Sequence, residues 1–413
     1  MNIRCRYLLE QNEPTNMREK LICKFKFHNV GQGLFYTGLL QSNNKKYEIV
    51  YDCGSDNRTY RMKAIRDYKT IIKNDDKIDL LIISHLHTDH YNGIKELLKN
   101  RGAKIAILPY VPLWERMIIK FISKRNSWSD SFLDNPSNFL INECNVDEVI
   151  MIDNSDPDGE DNPFQPDGFS PNPDSDFDLK KMKFKANSTS DEKLAFNTQT
   201  ADSGGVLITL NRKWFFSFYN NPLTKELRWQ FTQTLNTSGI NLSDSDSVVN
   251  LLKKYKNNRI AAAYKKVFGV GDELNITSLI TIHGPCGKPY FQCGMTNITD
   301  ELIIHDIRSP FYQMLTGDFS FPLWLDDFYN KNERLLNKVA IASIPHHGSI
   351  NNWNDEVLRK INSPKIWVAS HGVANKHKHP SDYVKNNIQQ NHKEFMSVTE
   401  NNAFEYCGCF IWN

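Results

Sequence analysis

The chain has 413 residues, of which 40% are hydrophobic and 12% aromatic, enough to bury a sizeable core and to exclude general disorder. Its 50 Lys and Arg against 48 Asp and Glu leave a formal net charge of +2, so composition alone gives no electrostatic pull toward nucleic acid or a membrane surface. No apolar run long enough to insert in a membrane occurs, and Met1 to Lys20 mixes Arg4, Arg6, Glu10, Glu13 and Arg18 without an apolar leader, so the expected protein is cytoplasmic.

From Leu21 to Phe27, Cys23, Phe25 and Phe27 alternate with Lys24 and Lys26, the period of a half-buried strand, and Val30-Gly31-Gln32-Gly33 follows. Tyr47 to Tyr51 reads as a second strand that ends in Asp52-Cys53-Gly54. After a charged helix near Arg61 to Lys73 comes Ile78 to Ser84, apolar except for Asp79 and Ser84 and suited to a strand covered on both faces. It delivers His85-Leu86-His87-Thr88-Asp89-His90 directly, and a helix is expected from Tyr91.

Signals thin out between residues 102 and 274. Lys104 to Pro109 and Glu148 to Ile152 look like strands around a helix at Trp114 to Lys124. Asp153 to Asp178 holds nine acidic residues, five prolines and no Lys or Arg, the composition of a solvated loop; Asp156, Asp158 and Glu160 there lack the spacing of a calcium loop. A hairpin over Val206 to Leu210 and Trp214 to Tyr219 is expected next, then helices near Leu223 to Phe231 and Ser247 to Val267. The aromatic row Trp214, Phe215, Phe216, Phe218 and Tyr219 suits core or lid packing better than a base-stacking platform.

Regular pattern resumes at Asn275 to His283, with further strands at Tyr312 to Leu315, Val339 to Ile344, Ile366 to Ser370 and Phe404 to Ile411. Helices fit Leu323 to Leu336 and Pro380 to Gln389, with Pro380 at the first helical position. The eight cysteines are scattered as reduced thiols would be, and burial explains Cys286 and Cys293 better than a small zinc site with His283 and His305.

Three imidazoles and a carboxylate within six residues, set between a buried strand and a helix, are the strongest chemical signal in the chain. His85 and His87 alternate on a strand end and can share one metal ion, while Asp89 and His90 can reach a second. Later strand ends supply further donors: Asp318 after Thr316-Gly317, His346 and His347 in Pro345-His346-His347-Gly348-Ser349, and His379 in His377-Lys378-His379-Pro380. Eight of the twelve histidines (85, 87, 90, 346, 347, 371, 377 and 379) fall in or beside these segments, so histidine use follows the site.

Taken in order, Val30 to Gly33, Asp52 to Gly54, Ile78 to His90, Asn275 with Ser278-Leu279-Ile280, Leu315 to Asp318, Pro345 to Ser349 and His379-Pro380 form a pattern that resembles the metallo-β-lactamase-fold domain of ComEC-type competence DNA-uptake proteins. The resemblance spans Leu21 to Ile94 and Asn275 to the C-terminus. It implies a mixed α/β, four-layer αββα sandwich with two divalent metal ions at one edge, held by His85, His87, Asp89, His90 and Asp318. His379 would be the late histidine, and Asp52 would orient the histidine-rich loop. The chain then divides into an N-terminal half of the fold (1–101), an insertion-rich middle (102–274) and a C-terminal half (275–413). The family's membrane channel is missing, Leu34 stands where Asp is common, and Lys378 stands where Gly is common. Nothing in the middle matches the usual third metal motif; His283 is a weak substitute, which leaves His346 or His347 to complete the first ion's donors.

Imidazole and carboxylate donors without thiolate suit Zn²⁺ and Mn²⁺ alike. Two such ions can activate a bridging hydroxide and clamp a phosphodiester, so the expected function is a dinuclear metal-dependent phosphodiesterase or nuclease. Asp89, His346, His347 and His379 are its candidate catalytic groups, with His379 a ligand or a proton donor and Lys376 and Lys378 beside it. Nucleic acid is the substrate the resemblance implies. The alternative is a small-molecule lactone, ester or phosphoester hydrolase, and a protein partner is left open.

Overall fold

The computed structural model describes residues 19–42, 45–72, 76–122, 128–154, 164–172, 174, 176, 178–185, 195–221, 224–237, 278–297, 302–303 and 311–412. The expected helix over Ser247 to Val267, together with Asp156, Asp158, Glu160, Asn275 and His305, lies outside them.

Alternating apolar side chains build two sheets among the described residues. Edge to edge, the first runs through Leu302–Ile303, Tyr290–Asn297, Phe404–Trp412, Glu19–Phe27, Phe35–Ser42, Lys45–Cys53, Ile78–Ile82, Ala103–Pro109, Val146–Ile152, Thr198–Ala201 and Phe184–Lys185. The second runs through Glu394–Val398, Ile366–Ser370, Val339–Ser343, Tyr312–Leu315, Ile280–Pro285, Trp214–Tyr219, Val206–Thr209 and Leu179–Lys181. Residues between 102 and 274 thus contribute strands to both sheets.

Strand period places one set of side chains between the sheets and the other under helices. Leu80 and Ile82, Phe216 and Phe218, Ile341, Ile366 and Val368 meet in the inter-sheet core. Leu81, Val50 and Ala106 face outward and pack under Ile65 and Tyr68 of the Arg58–Ile72 helix and Phe139 of the Pro136–Cys144 helix. On the other side Met314, Ala342 and Trp367 lie under Phe328 and Leu335 of the Phe321–Leu336 helix and Val384 and Ile388 of the Asp382–Gln390 helix. The result is four layers, αββα. No helix among the described residues is long and apolar enough to cross a membrane.

Each sheet contains a parallel block. Lys45–Cys53, Ile78–Ile82, Ala103–Pro109, Val146–Ile152 and Thr198–Ala201 run together in the first, and Tyr312–Leu315, Val339–Ser343, Ile366–Ser370 and Glu394–Val398 in the second. Parallel strands put all their carboxyl ends on one side, where ligand sites of α/β sheets form. Asp52, His85, Asp318, His346 and Ser370 all lie at such ends. The sheets are tied together there, with Tyr51 Oη donating to Leu279 O at 3.0 Å and Leu279 N donating to Ser84 O at 2.8 Å.

The aromatic row Trp214–Tyr219 is wholly buried, in line with the expected core packing. Other expectations need correction. His283 lies in the core, where its Nδ1 accepts from Trp214 Nε1 at 3.3 Å and its Nε2 meets Tyr36 Oη at 3.2 Å, with Tyr36 also bonded to Gln313. Burial lowers its pKa to about 3, and it is a core histidine rather than a substitute metal ligand. The acidic loop is not solvated throughout: Pro166 is buried, and Phe164 packs 5.3 Å from the Phe215 ring. The last helix begins at Asp382, because Ser381 caps it by accepting from Val384 N; Pro380 precedes the cap.

Candidate metal centre

Asp52, at the end of Lys45–Cys53, has φ 55°, a backbone state that non-glycine residues adopt at a cost and usually for a reason. Its Oδ1 accepts from Ser84 N at 2.7 Å, and its Oδ2 accepts from Ser84 Oγ at 2.6 Å and from His90 Nδ1 at 2.8 Å. Because the Ser84 hydroxyl hydrogen is used on Asp52, its oxygen receives the Nδ1 hydrogen of His85 at 2.9 Å. These partners assign the proton of both rings to Nδ1, so Nε2 of His85 and of His90 faces the opposite way.

Both Nε2 atoms face one carboxylate from the other sheet. Asp318 places Oδ2 3.4 Å from His85 Nε2 and Oδ1 3.1 Å from His90 Nε2. It reaches them through a tight turn, where Gly317 has φ 52° and a side chain there would meet Ser84 Cβ and Oγ at 2.9 Å. Ser278 Oγ accepts from Asp318 N at 3.0 Å and fixes the turn from behind.

His346 and His347 both have left-handed backbone, φ 49° and 56°, which sends consecutive rings to different partners. His347 Nδ1 donates to Ser370 O at 2.7 Å, and its Nε2 lies 3.1 Å from Asp89 Oδ2. His346 Nδ1 donates to Asn352 Oδ1 at 2.9 Å, and its Nε2 lies 3.8 Å from Asp318 Oδ2. Asn352 in turn donates to Asp318 O at 2.9 Å. The structure therefore brings together two trios, His85, His87 and Asp318, and Asp89, His90 and His347, with donor atoms within 4.8 Å of one another in each. His347 sides with the second trio and His346 with the first. His379 is one ring further out, 5.4 Å from the His346 centroid, and His377 stacks beyond it at 5.6 Å.

The electrostatics match a site made for cations. Burial opposes charge on His90, but Asp318, Asp52 and Asp89 outweigh it and raise its pKa well above the usual value. Burial likewise opposes charge on His347, whose pKa is raised by its hydrogen bond to Asp89 and by Asp318. Asp89 and Asp318, which burial alone would push up, are held below the carboxylate range, first by His90 in each case. His85 and His87 are lowered, His87 to about 3, by burial and then by a neighbouring imidazole. Protons on His90 and His347 thus balance the carboxylates in the position a cation would take. The Nε2 atoms of His85 and His90 are buried yet make no aligned hydrogen bond among the described residues, an expensive arrangement unless a further group meets them there. Imidazole and carboxylate donors at this density, with Nδ1 of His85 and His90 turned to protein acceptors, fit divalent metal.

Sequence reasoning named Ser278 only within the motif order, not as the partner of Asp318, and did not single out Asn352 or Ser370, which hold His346 and His347. Small polar residues are too common for their presence alone to mark them. Ser84 offered a weak signal as the polar end of an apolar strand.

Residues 36–158 match the metallo-beta-lactamase superfamily. That span includes Asp52 and the His85 to His90 string, and members of the superfamily are mostly hydrolases that usually bind divalent metal, typically zinc. The two-sheet, four-layer architecture is the metallo-β-lactamase sandwich that the motif order implied. Among solved structures the chain is similar to the metallo-beta-lactamase fold protein YhfI from Bacillus subtilis, at 11% identity and a TM-score of 0.38 over 93% of this chain and 99% of that one. It is also similar to a long form RNase Z from yeast, at 11% identity and a TM-score of 0.32, covering 95% of this chain and 42% of that one. No curated protein sequence matches it.

Proposed function

We propose that the chain is a dinuclear metal-dependent phosphodiesterase acting on nucleic acid. One observation carries the reading: Asp318 faces both donor trios through different oxygens, 3.4 Å from His85 and 3.1 Å from His90, as a carboxylate shared between two ions must. His85, His87 and Asp318, with His346 alongside, would hold one ion. Asp89, His90, His347 and Asp318 would hold the other. When bound, such a pair supplies a nucleophile at neutral pH and a positive clamp for the phosphodiester.

The chain's own groups do the positioning. Asp52 fixes His90 directly and His85 through Ser84, while Ser370 and Asn352 fix His347 and His346. His379 stands at the outer side of His346, and burial followed by the charges of His346, His347 and His377 lowers its pKa to about 3. From there it would hydrogen-bond a phosphate oxygen or serve the leaving group. Lys376 and Lys378 are exposed near it and add positive charge at the rim. Nucleic acid is favoured by the resemblance of the motif order from Val30 to Pro380 to that of competence DNA-uptake proteins.

The test is metal analysis of protein purified without chelator, followed by assays on plasmid DNA, RNA, bis(p-nitrophenyl) phosphate and a panel of lactones. The expected result is close to two divalent ions per chain and chelator-sensitive cleavage of the phosphodiesters. Asp318→Asn should stay folded, bind fewer ions and lose at least about a hundredfold in rate, since even outer partners of a ligand cost ten- to a hundredfold. Full activity in chelator, or turnover of lactones alone, would overturn the proposal.

A further inference from the structure

A second hollow of about 340 Å³ opens beside the metal centre, in the size range of small-ligand sites. One wall is Gly31, Gln32, Asp56, Asn57 and Tyr60; the other is the loop carrying Gly372, Lys376 and His377, with Glu400 beneath it. Each wall is continuous with the centre. On the first, the loop after Glu19–Phe27 is tied down next to Gln32, where Gly33 O accepts from Ser370 Oγ at 2.7 Å and Leu34 N donates to Asp89 O at 3.3 Å. On the second, Asn375 grips the backbone of His379, donating to its carbonyl at 2.5 Å and accepting from its N–H at 2.9 Å. The His377 end of the cleft therefore adjoins the position of the scissile group.

The lining determines what can enter. Asn57 Oδ1 accepts from Thr59 N at 2.9 Å and Tyr60 N at 3.3 Å, so the adjacent helix start is already capped by this chain. Asp56 and Glu400 add two carboxylates. A phosphate would be repelled by both and would find those helix N–H groups taken. An uncharged group rich in hydrogen-bond donors, such as sugar hydroxyls or an exocyclic amine, would find acceptors instead. The walls are also drawn together. Gly372 packs on Gln32, with its N–H donating to Gln32 Oε1 at 3.3 Å, and Gly31 lies against Glu400. Half-buried Tyr60 brings an aromatic ring to the lining.

We infer that this cleft binds the nucleoside that flanks the phosphodiester held at the metal centre, with Tyr60 stacking on the base, Asp56 and Glu400 accepting from the sugar or base, and Lys376 and His377 at the phosphate end. The inference rests on the phosphodiesterase reading for the direction of the substrate, but nucleoside binding itself does not require the metals. Substrate choice then comes from the Tyr60 side as well as from the ions.

The test separates the two. Metal-free full-length protein is titrated with adenosine and with thymidine by saturation-transfer NMR and calorimetry. Wild type and Tyr60→Phe should bind a nucleoside, Tyr60→Ala should bind roughly tenfold more weakly or worse, and Asp56→Asn should also weaken binding. In metal-loaded protein, Tyr60→Ala should raise KM for the p-nitrophenyl ester of thymidine 5′-monophosphate relative to bis(p-nitrophenyl) phosphate. No nucleoside binding by wild type, or equal binding by wild type and Tyr60→Ala, would overturn the inference even if both esters are cleaved. Nucleoside binding with cleavage of neither ester would overturn the phosphodiesterase reading and leave the cleft assignment standing.

Discussion

Asp52 receives hydrogen bonds from Ser84 N, Ser84 Oγ and His90 Nδ1, and through the Ser84 hydroxyl it also sets the proton of His85. One carboxylate that need not touch an ion therefore orients two imidazoles that would. Ser84→Ala removes the link to His85 and one of the hydrogen bonds Asp52 accepts, leaving the direct Asp52–His90 bond, whereas Asp52→Asn removes the charge and places an amide among donors. Both side chains are buried and small, so the fold should survive each change. The expected loss of metal affinity is about ten- to a hundredfold, larger for Asp52→Asn, read by competition against a chromophoric chelator. Unchanged affinity in both variants would show that the imidazoles orient themselves.

Among the elements, the strands Glu19–Phe27 and Phe404–Trp412 pair inside the first sheet, with Lys26 opposite Glu405 in the register. Glu405 meets Lys26 at 2.6 Å and Lys24 at 3.3 Å. Burial pushes its pKa up, but Lys26 and then Lys24 outweigh burial and hold it below the ordinary value of 4.5. A depressed folded pKa gives a contribution present above that ordinary value and lost as pH falls through the folded one. Glu405→Gln should therefore lower stability at pH 7 by up to about 1 kcal/mol, given the partial exposure of these ion pairs, and the gap to wild type should close as pH drops below 4.5. Parallel denaturation curves at pH 7 and pH 3.5 read it, and an equal gap at both would rule out the ion pair as its source.

What sequence could foresee at this scale follows from the same physics. Ile78–Ile82 and Ile366–Ser370 were legible because each is apolar but for one residue, Asp79 and Ser370 respectively. Phe35–Ser42 was not, since Gly38 interrupts it; a side chain there would meet the Phe25 ring at 2.7 Å, so cross-strand packing demands the glycine. Glu394–Val398 escaped because it is a mixed-polarity edge strand. The histidine string declared itself by density. The division between His346 and His347 did not, because it depends on two positive φ angles that composition does not show.

At the scale of the whole molecule, the two donor trios join the sheets. His85, His87, Asp89 and His90 follow a strand of the first sheet, while Asp318 and His347 follow strands of the second. Without ions, the carboxylates are balanced by protons on His90 and His347, and the contact between sheets at this edge is a set of histidine–carboxylate pairs. A ligand that binds only the folded chain stabilises it by RT ln(1 + [L]/Kd), about 2.7 kcal/mol at a hundredfold excess over Kd. Divalent metal should therefore raise the unfolding temperature by a few degrees, increasing with metal concentration, and chelator should reverse the shift. Because the donors come from both sheets, substituting either side must reduce the effect: Asp318→Ala and His87→Ala should each shrink the metal-dependent shift while leaving the chelated protein folded. Thermal scans across a metal titration provide the measurement. If Asp318→Ala keeps the full wild-type shift, the ions are held by the histidine-rich loop alone, and the second sheet has no part in the centre.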